Sequence, residues 1–520
     1  MWYGAVPLRG TFQNMRRALA FFVLTSALAV LPAPSALAGP DEFTFYGSGF
    51  GHGLGMSQWG AYGLAQDGWG QAQILTHFYS RTRIRQAEDV PASLRIGLTQ
   101  GRDKVRLEAQ EGPVDLRLGG RRASDTIATI PAGETWIVRV LNERYRIVDA
   151  NGDSVGDPVG GAGTDLYAVF EPNGARVKVP EAYHTYSRGF VELNIYDCGS
   201  NCDVRLVLVI DPEEYLYGLG EVPSSWPMDA LQAQAIAART YALSKAAMGQ
   251  HRSGCNCALY ASSYDQVYAG WDKESAPDGD RWVRGVNDTT GKVVTFQGET
   301  IQAFYMSSSG GHTEDNENVW GGTPIEYLRG VCDPGDYTTA NPSATWQVTL
   351  SAPDLTRRLS LGIGTVTGFT GVQRGVSGRI VQATVNGETG TAVVSGASLR
   401  SALGLRDDRV WINRDRQIVG PIRDRYDALD CSPGLATSRQ VQVAGGLRQT
   451  FEDATIYHSD ATGAHALDGV VLDFYQREGG PAGSLGFPTS GVRRMKNGNV
   501  RASFQNGVVT CQPDGACSVS

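Results

Sequence analysis

Beyond residue 38, this sequence of 520 residues has no apolar run long enough to cross a bilayer comfortably. It also lacks a basic excess: 46 lysines and arginines stand against 54 aspartates and glutamates, a net charge of −8, which argues against nucleic acid as the main partner. Low-complexity segments and long internal repeats are missing too. With 41% hydrophobic residues and this length, the chain is expected to form about three well-packed domains.

Nucleotide-binding motifs are missing, although residues 47–55 read GSGFGHGLG, with a glycine at every second position. The third glycine of a GxGxxG pattern would fall on His52, Leu54, Met56 or Gln58, and no GxxxxGK occurs. Glycine weakens a strand interior, so this segment requires another reason, such as a close approach of two backbones.

The first 38 residues have the parts of a secretory signal. Arg16 and Arg17 precede an apolar run from Ala18 to Leu31, and Ala36-Leu37-Ala38 forms a small-x-small end. This pattern predicts export with cleavage after Ala38, and the alternative is a transmembrane anchor. Export in turn favours disulfides among the eight cysteines. Short-loop candidates are Cys198 with Cys202 and Cys511 with Cys517, which leaves Cys332 with Cys431 as a long closure.

Alternating apolar residues dominate the region from residue 92 to about 190, where runs such as VRLEAQ and TWIVRVL predict antiparallel strands. Residues 64–78 predict two short helices broken at Gly68 and Gly70. The clearest helix is predicted from Pro227 to Met248, with Ser225 as its cap and Pro227 in its first turn. The expected fold class is α+β: a β-rich mixed domain with one long helix, a β insertion and a small C-terminal module.

Glu221 is the first candidate for acid–base chemistry. It lies in a glycine-rich turn just before the long helix, between Leu219 and Val222 and close to Trp226. Burial raises the pKa of a carboxyl group, whereas the dipole of a nearby helix lowers it. If burial dominates, Glu221 is a proton donor near neutral pH; the alternative is an ordinary capping or solvated carboxylate.

Several separated blocks resemble the stage II sporulation protein D family and its amidase-enhancer relatives. They are YLYGLGEVPSSWPMDALQAQAIAARTYAL, DQVYAG, AFYMSSSGGHTEDNENVWG, YLRGVCDP and the glycine segment with its continuation, GFGHGLGMSQWGAYGLAQDGWGQAQILTHFYS. Together they cover much of residues 43–420. The resemblance implies a domain over residues 39–430, interrupted by the β-rich insertion at about 92–190.

The resemblance also implies an activity: a lytic transglycosylase that cleaves the bond between N-acetylmuramic acid and N-acetylglucosamine in glycan strands, peptide-stripped ones in the sporulation members. The family's catalytic glutamate falls on Glu221. Ordinary glycosidases use two carboxyl groups. Here one is enough, because the muramic acid's own C6 hydroxyl attacks the anomeric carbon. The alternative is a non-catalytic wall protein that enhances an amidase.

Further site residues follow from the same blocks. The resemblance places substrate-binding candidates in the long helix and in DQVYAG, namely Arg239, Tyr241, Gln266 and Tyr268; ion pairing or packing is the structural alternative. A small-residue loop suited to a close sugar approach supplies Ser308, Ser309, Gly310, Gly311 and Thr313. A serine hydrolase built on Ser308 and His312 is not supported, because Ser308 does not lie in a G-x-S-x-G elbow.

A metal site is the remaining candidate. The resemblance offers a structural zinc held by His251, Cys255 and Cys257, although the C-x-C spacing departs from the usual zinc spacing, and a disulfide is the alternative. The reaction itself requires no cofactor.

The glycine segment stands in an unusual place along the chain. Sporulation members carry it after the catalytic helix, whereas here it precedes that helix, so we predict a permuted order of one fold. Permutation is tolerated when chain ends lie close in space. The hypothesis requires His52 to lie near Glu221, where it would hydrogen-bond substrate or a neighbouring strand.

The C-terminal region, residues 444–520, resembles an LGFP repeat, which implies a module that holds exported proteins to the cell wall. The segment FEDATIY is interpreted as the end of a preceding, degraded copy. Tyr475, Phe487 and Phe504 are candidates for sugar stacking, with core packing as the alternative. The expected partners are peptidoglycan glycan strands and, in the alternative function, a cell-wall amidase. Nucleic acid is not expected, nor is a membrane span once the signal is removed.

Overall fold

Antiparallel strands and short helices alternate along the chain in the computed structural model, which describes residues 39–198 and 202–520. The predicted signal, residues 1–38, lies outside the described residues. Over the described residues the α-helices, in chain order, are α1 Gln58–Gln66, α2 Gln71–Phe78, α3 Pro212–Tyr217, α4 Met228–Met248, α5 Trp271–Glu274, α6 Gly279–Asn287, α7 Asn316–Trp320, α8 Ala352–Leu359, α9 Gly396–Leu403, α10 Gly420–Asp427 and α11 Gly469–Arg477.

The strands up to residue 210 are β1 Glu42–Gly47, β2 Met56–Ser57, β3 Arg83–Gln86, β4 Leu94–Arg102, β5 Lys104–Gln110, β6 Val114–Leu118, β7 Thr126–Ile130, β8 Thr135–Leu141, β9 Arg144–Val148, β10 Leu166–Val169, β11 Arg176–Val179, β12 His184–Tyr186, β13 Phe190–Tyr196 and β14 Asp203–Ile210. The later strands are β15 Leu259–Tyr260, β16 Lys292–Phe296, β17 Glu299–Thr300, β18 Tyr305–Met306, β19 Trp346–Ser351, β20 Val366–Arg374, β21 Ile380–Gly387, β22 Thr391–Ser395, β23 Val410–Ile412, β24 Val441–Val443, β25 Gly446–Thr450, β26 Thr455–Ser459, β27 Gly463–Leu467, β28 Arg493–Arg494, β29 Val500–Phe504, β30 Gly507–Cys511 and β31 Cys517–Val519.

Two sheets in the region of the predicted insertion share one hydrophobic core. The seven-stranded sheet has the order β15-β4-β14-β13-β10-β6-β7, and the five-stranded sheet has the order β12-β11-β5-β8-β9. In β5 the inward residues Val105, Leu107 and Ala109 are fully buried, while the residues between them are more exposed. The period-two pattern therefore predicted these strands correctly. Mixed helix and sheet over the described residues confirms the α+β class.

The long helix α4 begins at Met228 with Pro227 as its N-cap, and no side chain caps it. The predicted cap at Ser225 is therefore wrong, because Pro227 itself occupies the capping position. Most of α4 is buried, including Arg239 and Thr240 on the polar part of its sequence. A helix buried around most of its circumference positions neighbouring segments on several sides, so α4 is the structural centre of this region.

The N-terminal glycine segment is anchored by residues far along the chain. Strand β1 pairs antiparallel with β19 on one side and with β23 on the other. Gly55 has a φ of +70°, and a Cβ there would overlap the carbonyl oxygen of Phe304. Gly51 likewise packs directly against the side chain of Met306. The glycines thus permit the close backbone approach that the sequence suggested.

The C-terminal region packs around its own small core and is joined to the preceding region. Tyr475, Phe487 and Phe504 are all buried in that core, which favours the packing alternative for these three rings. A second cluster combines Ile422 of α10 with Ile456 of β26, across the predicted boundary between residues 430 and 444. Disulfides join the three pairs named as sequence candidates, Cys198–Cys202, Cys332–Cys431 and Cys511–Cys517.

Among the helices of the described residues, none combines the length and the apolar character that a membrane span requires.

Candidate functional site

A cleft of about 700 Å³ opens beside Glu221. Its walls come from four parts of the chain: the glycine segment, the end of α4 with residues 252–267, the segment 304–307 with Trp320, and Arg400 of α9. We call this cleft the Glu221 groove. The groove is therefore assembled from segments that lie far apart in the sequence.

Glu221 is held by two hydrogen bonds within the groove. The backbone N–H of Val267 donates to Oε1 at 2.6 Å, and the side-chain amide of Gln58 donates to Oε2 at 3.3 Å. Burial raises the pKa of Glu221 above its ordinary value, against the opposing effect of these donors, which favour the carboxylate. Val267 makes the shorter of the two contacts, so Oε2 is the more weakly held oxygen and the better position for a proton.

The glycine segment reaches Glu221 through Gln58 and is fixed there by His52. His52 Nε2 lies 3.1 Å from the carbonyl oxygen of Tyr305, and its Nδ1 accepts from the backbone N–H of Leu54. Burial, with smaller contributions from Arg400 and Arg379, lowers the pKa of His52 to about 4, so the ring is neutral at pH 7. Both nitrogens are occupied, which makes His52 a brace between two segments. The structure thus places the segment beside Glu221, as the permutation hypothesis required.

A second carboxylate, Asp265, also lines the groove, but cations surround it. Arg252 Nη1 lies 2.7 Å from one of its oxygens and Lys245 Nζ lies 3.9 Å from the other. It also accepts hydrogen bonds from the Tyr241 hydroxyl at 3.0 Å and from the backbone N–H of Tyr260 at 2.9 Å. A carboxylate held by this many donors is an anchor for the groove wall.

Arg239 does not reach the groove, contrary to its predicted substrate-binding role. Its guanidinium is buried and forms two hydrogen bonds of 2.7 Å with the carboxylate of Glu213. It also donates to the carbonyl oxygens of Lys292 and Val286. These contacts engage all three nitrogens of the planar guanidinium, so Arg239 anchors α4 to the segments that carry Glu213, Val286 and Lys292.

The two residues predicted from DQVYAG lie behind the groove. Gln266 is fully buried and connects Tyr215, Ala238 and Tyr305 by hydrogen bonds of 2.9 to 3.2 Å. Tyr268 is buried and stacks on Tyr215 with ring centroids 5.0 Å apart. Neither side chain lines the groove; Gln266 supports it through Tyr305. Tyr241, in contrast, does line the groove.

The serine-glycine loop is also a supporting element. Ser308 and Ser309 are fully buried and donate to Asp336 at 2.9 Å and to Asp333 at 2.6 Å. The remaining loop residues do not line the groove either: Gly310 packs on the backbone of Ser48 and Gly49, Gly311 packs on Arg423, and Thr313 pairs with Val331. The five residues predicted to contact sugar therefore contact other parts of the protein instead.

A serine-hydrolase pair is not formed at this loop. The Ser308 hydroxyl is engaged by Asp336, whereas His312 Nδ1 lies 2.6 Å from the carbonyl oxygen of Thr313. Burial lowers the pKa of His312 to about 4. The two side chains thus belong to separate contacts.

The predicted zinc ligands are arranged differently from a metal site. Cys255 and Cys257 are joined by a disulfide and are fully buried. His251 is exposed, with Nδ1 2.7 Å from the side-chain oxygen of Asn256. A sulfur in a disulfide offers no thiolate to a metal. Cys255 and Cys257 therefore form the alternative disulfide instead of binding zinc.

Several groove residues were not predicted from the sequence. Tyr305, Trp320 and Gln58 lie within blocks that were recognised, but no local pattern distinguishes them from packing residues. Trp320 is 55% exposed, with its ring 5.2 Å from that of His52 and 4.7 Å from that of Phe304. The exposure of Trp320 is visible only in the structure, so the sequence carries no signal for it. Other groove residues that sequence reasoning missed include Lys245, Arg252, Tyr264, Asp265 and Arg400.

Two family models match parts of the chain. Residues 200–296 match the model described as Stage II sporulation protein, and residues 434–483 match the LGFP repeat. The first match contains Glu221 and α4 but not the glycine segment. Both resemblances drawn from the sequence are confirmed, with the LGFP match lying partly before residue 444.

The curated relatives carry related names. The chain is 34% identical over 142 residues to the amidase enhancer of Bacillus subtilis strain 168, which covers 27% of this chain and 17% of that protein. It is 29% identical over 215 residues to stage II sporulation protein D of Bacillus amyloliquefaciens, covering 38% of this chain and 59% of that protein. The Bacillus subtilis stage II sporulation protein D is 28% identical over 216 residues. The chain thus spans less than two thirds of each of these relatives.

Proposed function

We propose that this protein is a peptidoglycan lytic transglycosylase in which Glu221 is the single acid and base. The observation that carries the proposal is a carboxyl group of raised pKa that lines a groove of about 700 Å³. General acids work best when their pKa approaches the working pH, and burial moves Glu221 in that direction. The resemblance to stage II sporulation protein D supports the choice of substrate.

The proposed reaction has two proton transfers at one residue. Glu221 gives its proton from Oε2 to the glycosidic oxygen as the bond from the muramic acid C1 to that oxygen breaks. The C6 hydroxyl of the same muramic acid then bonds to C1, and its proton returns to the Glu221 carboxylate. The product carries a 1,6-anhydro end, and the enzyme is restored to its starting protonation state.

The second groove carboxylate supports a mechanism with one acidic residue. A conventional glycosidase needs a free carboxylate as nucleophile or base. Asp265 is bound to Arg252 and Lys245 and accepts two further hydrogen bonds, so it is poorly suited to either task. Attack by the substrate's own hydroxyl removes the need for it.

A second candidate function is the enhancement of a cell-wall amidase, without catalysis. The observation that favours it is the 34% identity to a protein named amidase enhancer. In that case the Glu221 groove would bind glycan without cleaving it. Under either function we propose that the protein is exported and held at the cell wall, with residues 1–38 as the signal and the LGFP repeat as the wall-binding part.

The test is digestion of purified glycan strands, with and without stem peptides, followed by mass analysis of the ends. We expect anhydromuramoyl ends from the wild type and a loss of at least about 100-fold with Glu221→Gln, the lower end of the usual contribution of a general acid. The matched control is Glu88→Gln, because Glu88 is an exposed glutamate remote in sequence from the groove residues.

The outcomes separate the two functions. Equal loss in Glu221→Gln and Glu88→Gln would contradict the assigned acid. Absence of anhydro ends from the wild type on both substrates, together with stimulation of an added N-acetylmuramoyl-L-alanine amidase that Glu221→Gln retains, would establish the enhancer function instead.

A further inference from the structure

A second cleft, of about 590 Å³, shares no lining residue with the Glu221 groove. It lies between strand β20 and strand β23 with the four residues that follow β23, and Phe43 of β1 and Phe369 form part of its wall. β20 and β23 are both edge strands of their sheets. We call this cleft the arginine cleft.

Three arginines line the cleft: Arg374, Arg414 and Arg416. None of the three is paired with a carboxylate within residues 39–198 and 202–520. Asp415, which lies between Arg414 and Arg416 in the sequence, accepts from the backbone N–H of Gln417. Glu452, whose charge acts on Arg416, accepts from the backbone N–H of Leu435.

The pKa of Arg374 reflects this concentration of positive charge. Its guanidinium donates to the carbonyl oxygens of Gly378 and Val410, and it lies 4.8 Å from the centre of the Trp411 ring. Burial and repulsion by Arg416 and Arg409 lower the pKa of Arg374 to about 9. An anion in the cleft would remove this repulsion.

Trp411 supplies an independent observation. Its ring lines the cleft and is 4% exposed, and its indole Nε1 is buried without a hydrogen-bond partner in the described residues. A buried donor without a partner is costly, and native proteins leave few of them. The Trp411 ring itself contributes an aromatic wall to the cleft, beside the guanidinium of Arg374.

We propose that the arginine cleft binds an oxyanion carried on a sugar or polyol polymer of the cell wall, with phosphate or carboxylate oxygens on the three arginines. Guanidinium groups match both oxyanions, and the partly exposed ring of Phe369 suits the apolar face of a sugar. The ligand class rests on the proposed location at the cell wall. The cleft would hold the polymer while the Glu221 groove acts on a neighbouring strand.

The test measures binding by calorimetry in the Glu221→Gln background, so that cleavage does not consume the ligand. The probes are polyglycerol phosphate, peptide-stripped glycan strands carrying lactyl carboxylates, an uncharged N-acetylglucosamine oligomer and polyglutamate. We expect polyglycerol phosphate, stripped glycan or both to bind, and Arg414→Gln/Arg416→Gln to weaken that binding at least about tenfold, as expected for lost charge-assisted hydrogen bonds. The phosphate and glycan arms identify the source of the oxyanion.

The matched control is Arg83→Gln/Arg85→Gln, which removes two exposed arginines from another edge of the protein. Arg414 is exposed, so Arg414→Gln alone keeps the test valid if the double variant fails to fold. Equal weakening in the control, equal binding of the uncharged oligomer, or preference for polyglutamate would each overturn the proposal. A different result would separate the two proposals. If the wild type cleaves no glycan but the arginine variants lose polymer binding, the binding role of the arginine cleft is supported and the transglycosylase activity is contradicted.

Discussion

At the scale of single residues, Glu221 shows how residues far away in the sequence determine the surroundings of a candidate acid. Its sequence neighbours left open whether it is buried or an ordinary solvated carboxylate, and the raised pKa favours burial. The two donors that oppose the rise come from Val267 and from Gln58, which precedes Glu221 by 163 positions. No local pattern identifies such partners, so the candidate acid was predictable but its surroundings were not.

The first prediction concerns the pH dependence of cleavage. A general acid must be protonated, so the rate falls as the pH rises through the raised pKa of Glu221. Gln58→Leu removes a donor that favours the carboxylate, so the pKa rises further and the alkaline limb of the pH–rate profile moves to higher pH. The profile of kcat/KM measures this shift. A limb that stays in place would show that Gln58 does not act on Glu221.

The second prediction concerns stability and follows from the same pKa. A carboxyl group whose pKa is higher in the folded than in the unfolded state costs stability once it ionises. The cost is absent below the ordinary pKa of glutamate and develops as the pH rises through the folded value. Glu221→Gln cannot ionise, so its Tm relative to the wild type should increase over this pH range. A constant difference in Tm from acid to neutral pH would contradict the raised pKa.

The third prediction separates structure from substrate binding at Arg239. Arg239→Leu leaves the Glu213 carboxylate without its bidentate partner, and breaking a buried ion pair typically costs about 3–5 kcal/mol. Because Glu213 remains partly exposed, we expect about 3 kcal/mol, measured by denaturant unfolding. The KM of the folded enzyme should not change. A raised KM at unchanged stability would restore the predicted substrate role.

At the scale of secondary-structure elements, the spacing of apolar residues predicted the helices and strands that depend on local sequence. The two short helices near Gly68, the strands from residue 94 to residue 186 and the long helix before Met248 form as the patterns indicate. The serine-glycine loop shows the limit of the method. Small residues predict close approach, but they do not say what approaches, and here it is the glycine segment at Ser48 and Gly49 instead of a sugar.

The fourth prediction tests the close approach of the glycine segment to residue 304. Gly55→Ala adds a Cβ that overlaps the Phe304 carbonyl and also strains a φ of +70°, so it should lower both stability and activity through displacement of Gln58. Gly68→Ala is the matched control, because φ there is +86° with no atom within 4 Å. The control should cost about 1 kcal/mol and keep activity. Equal effects of the two variants would assign the loss to backbone strain alone.

At the scale of the whole molecule, the described residues from Pro40 onwards form one unit in which early and late segments meet. The resemblance predicted that the glycine segment would return to Glu221. The sequence did not predict how the chain is held there, which is by pairing of β1 with β19 and β23. Such long-range pairing is set by the sum of many contacts and leaves little signal in either partner.

The fifth prediction concerns the long disulfide. Cys332–Cys431 spans 99 positions, whereas Cys511–Cys517 spans 6. By the entropy of loop closure, Cys332→Ser/Cys431→Ser should cost about 4–5 kcal/mol and Cys511→Ser/Cys517→Ser about 2 kcal/mol. Unfolding in denaturant without reductant measures both. A larger loss from the short loop would show that local packing outweighs chain entropy.

The pairing of β1 with strands more than 300 positions later also has a temporal consequence. While the ribosome is still making the protein, Glu221 and its long helix are complete well before the residues that hold Gln58 in place. A nascent chain that has not reached residue 412 therefore lacks the finished groove. Completion of the groove is therefore delayed until synthesis has passed residue 412.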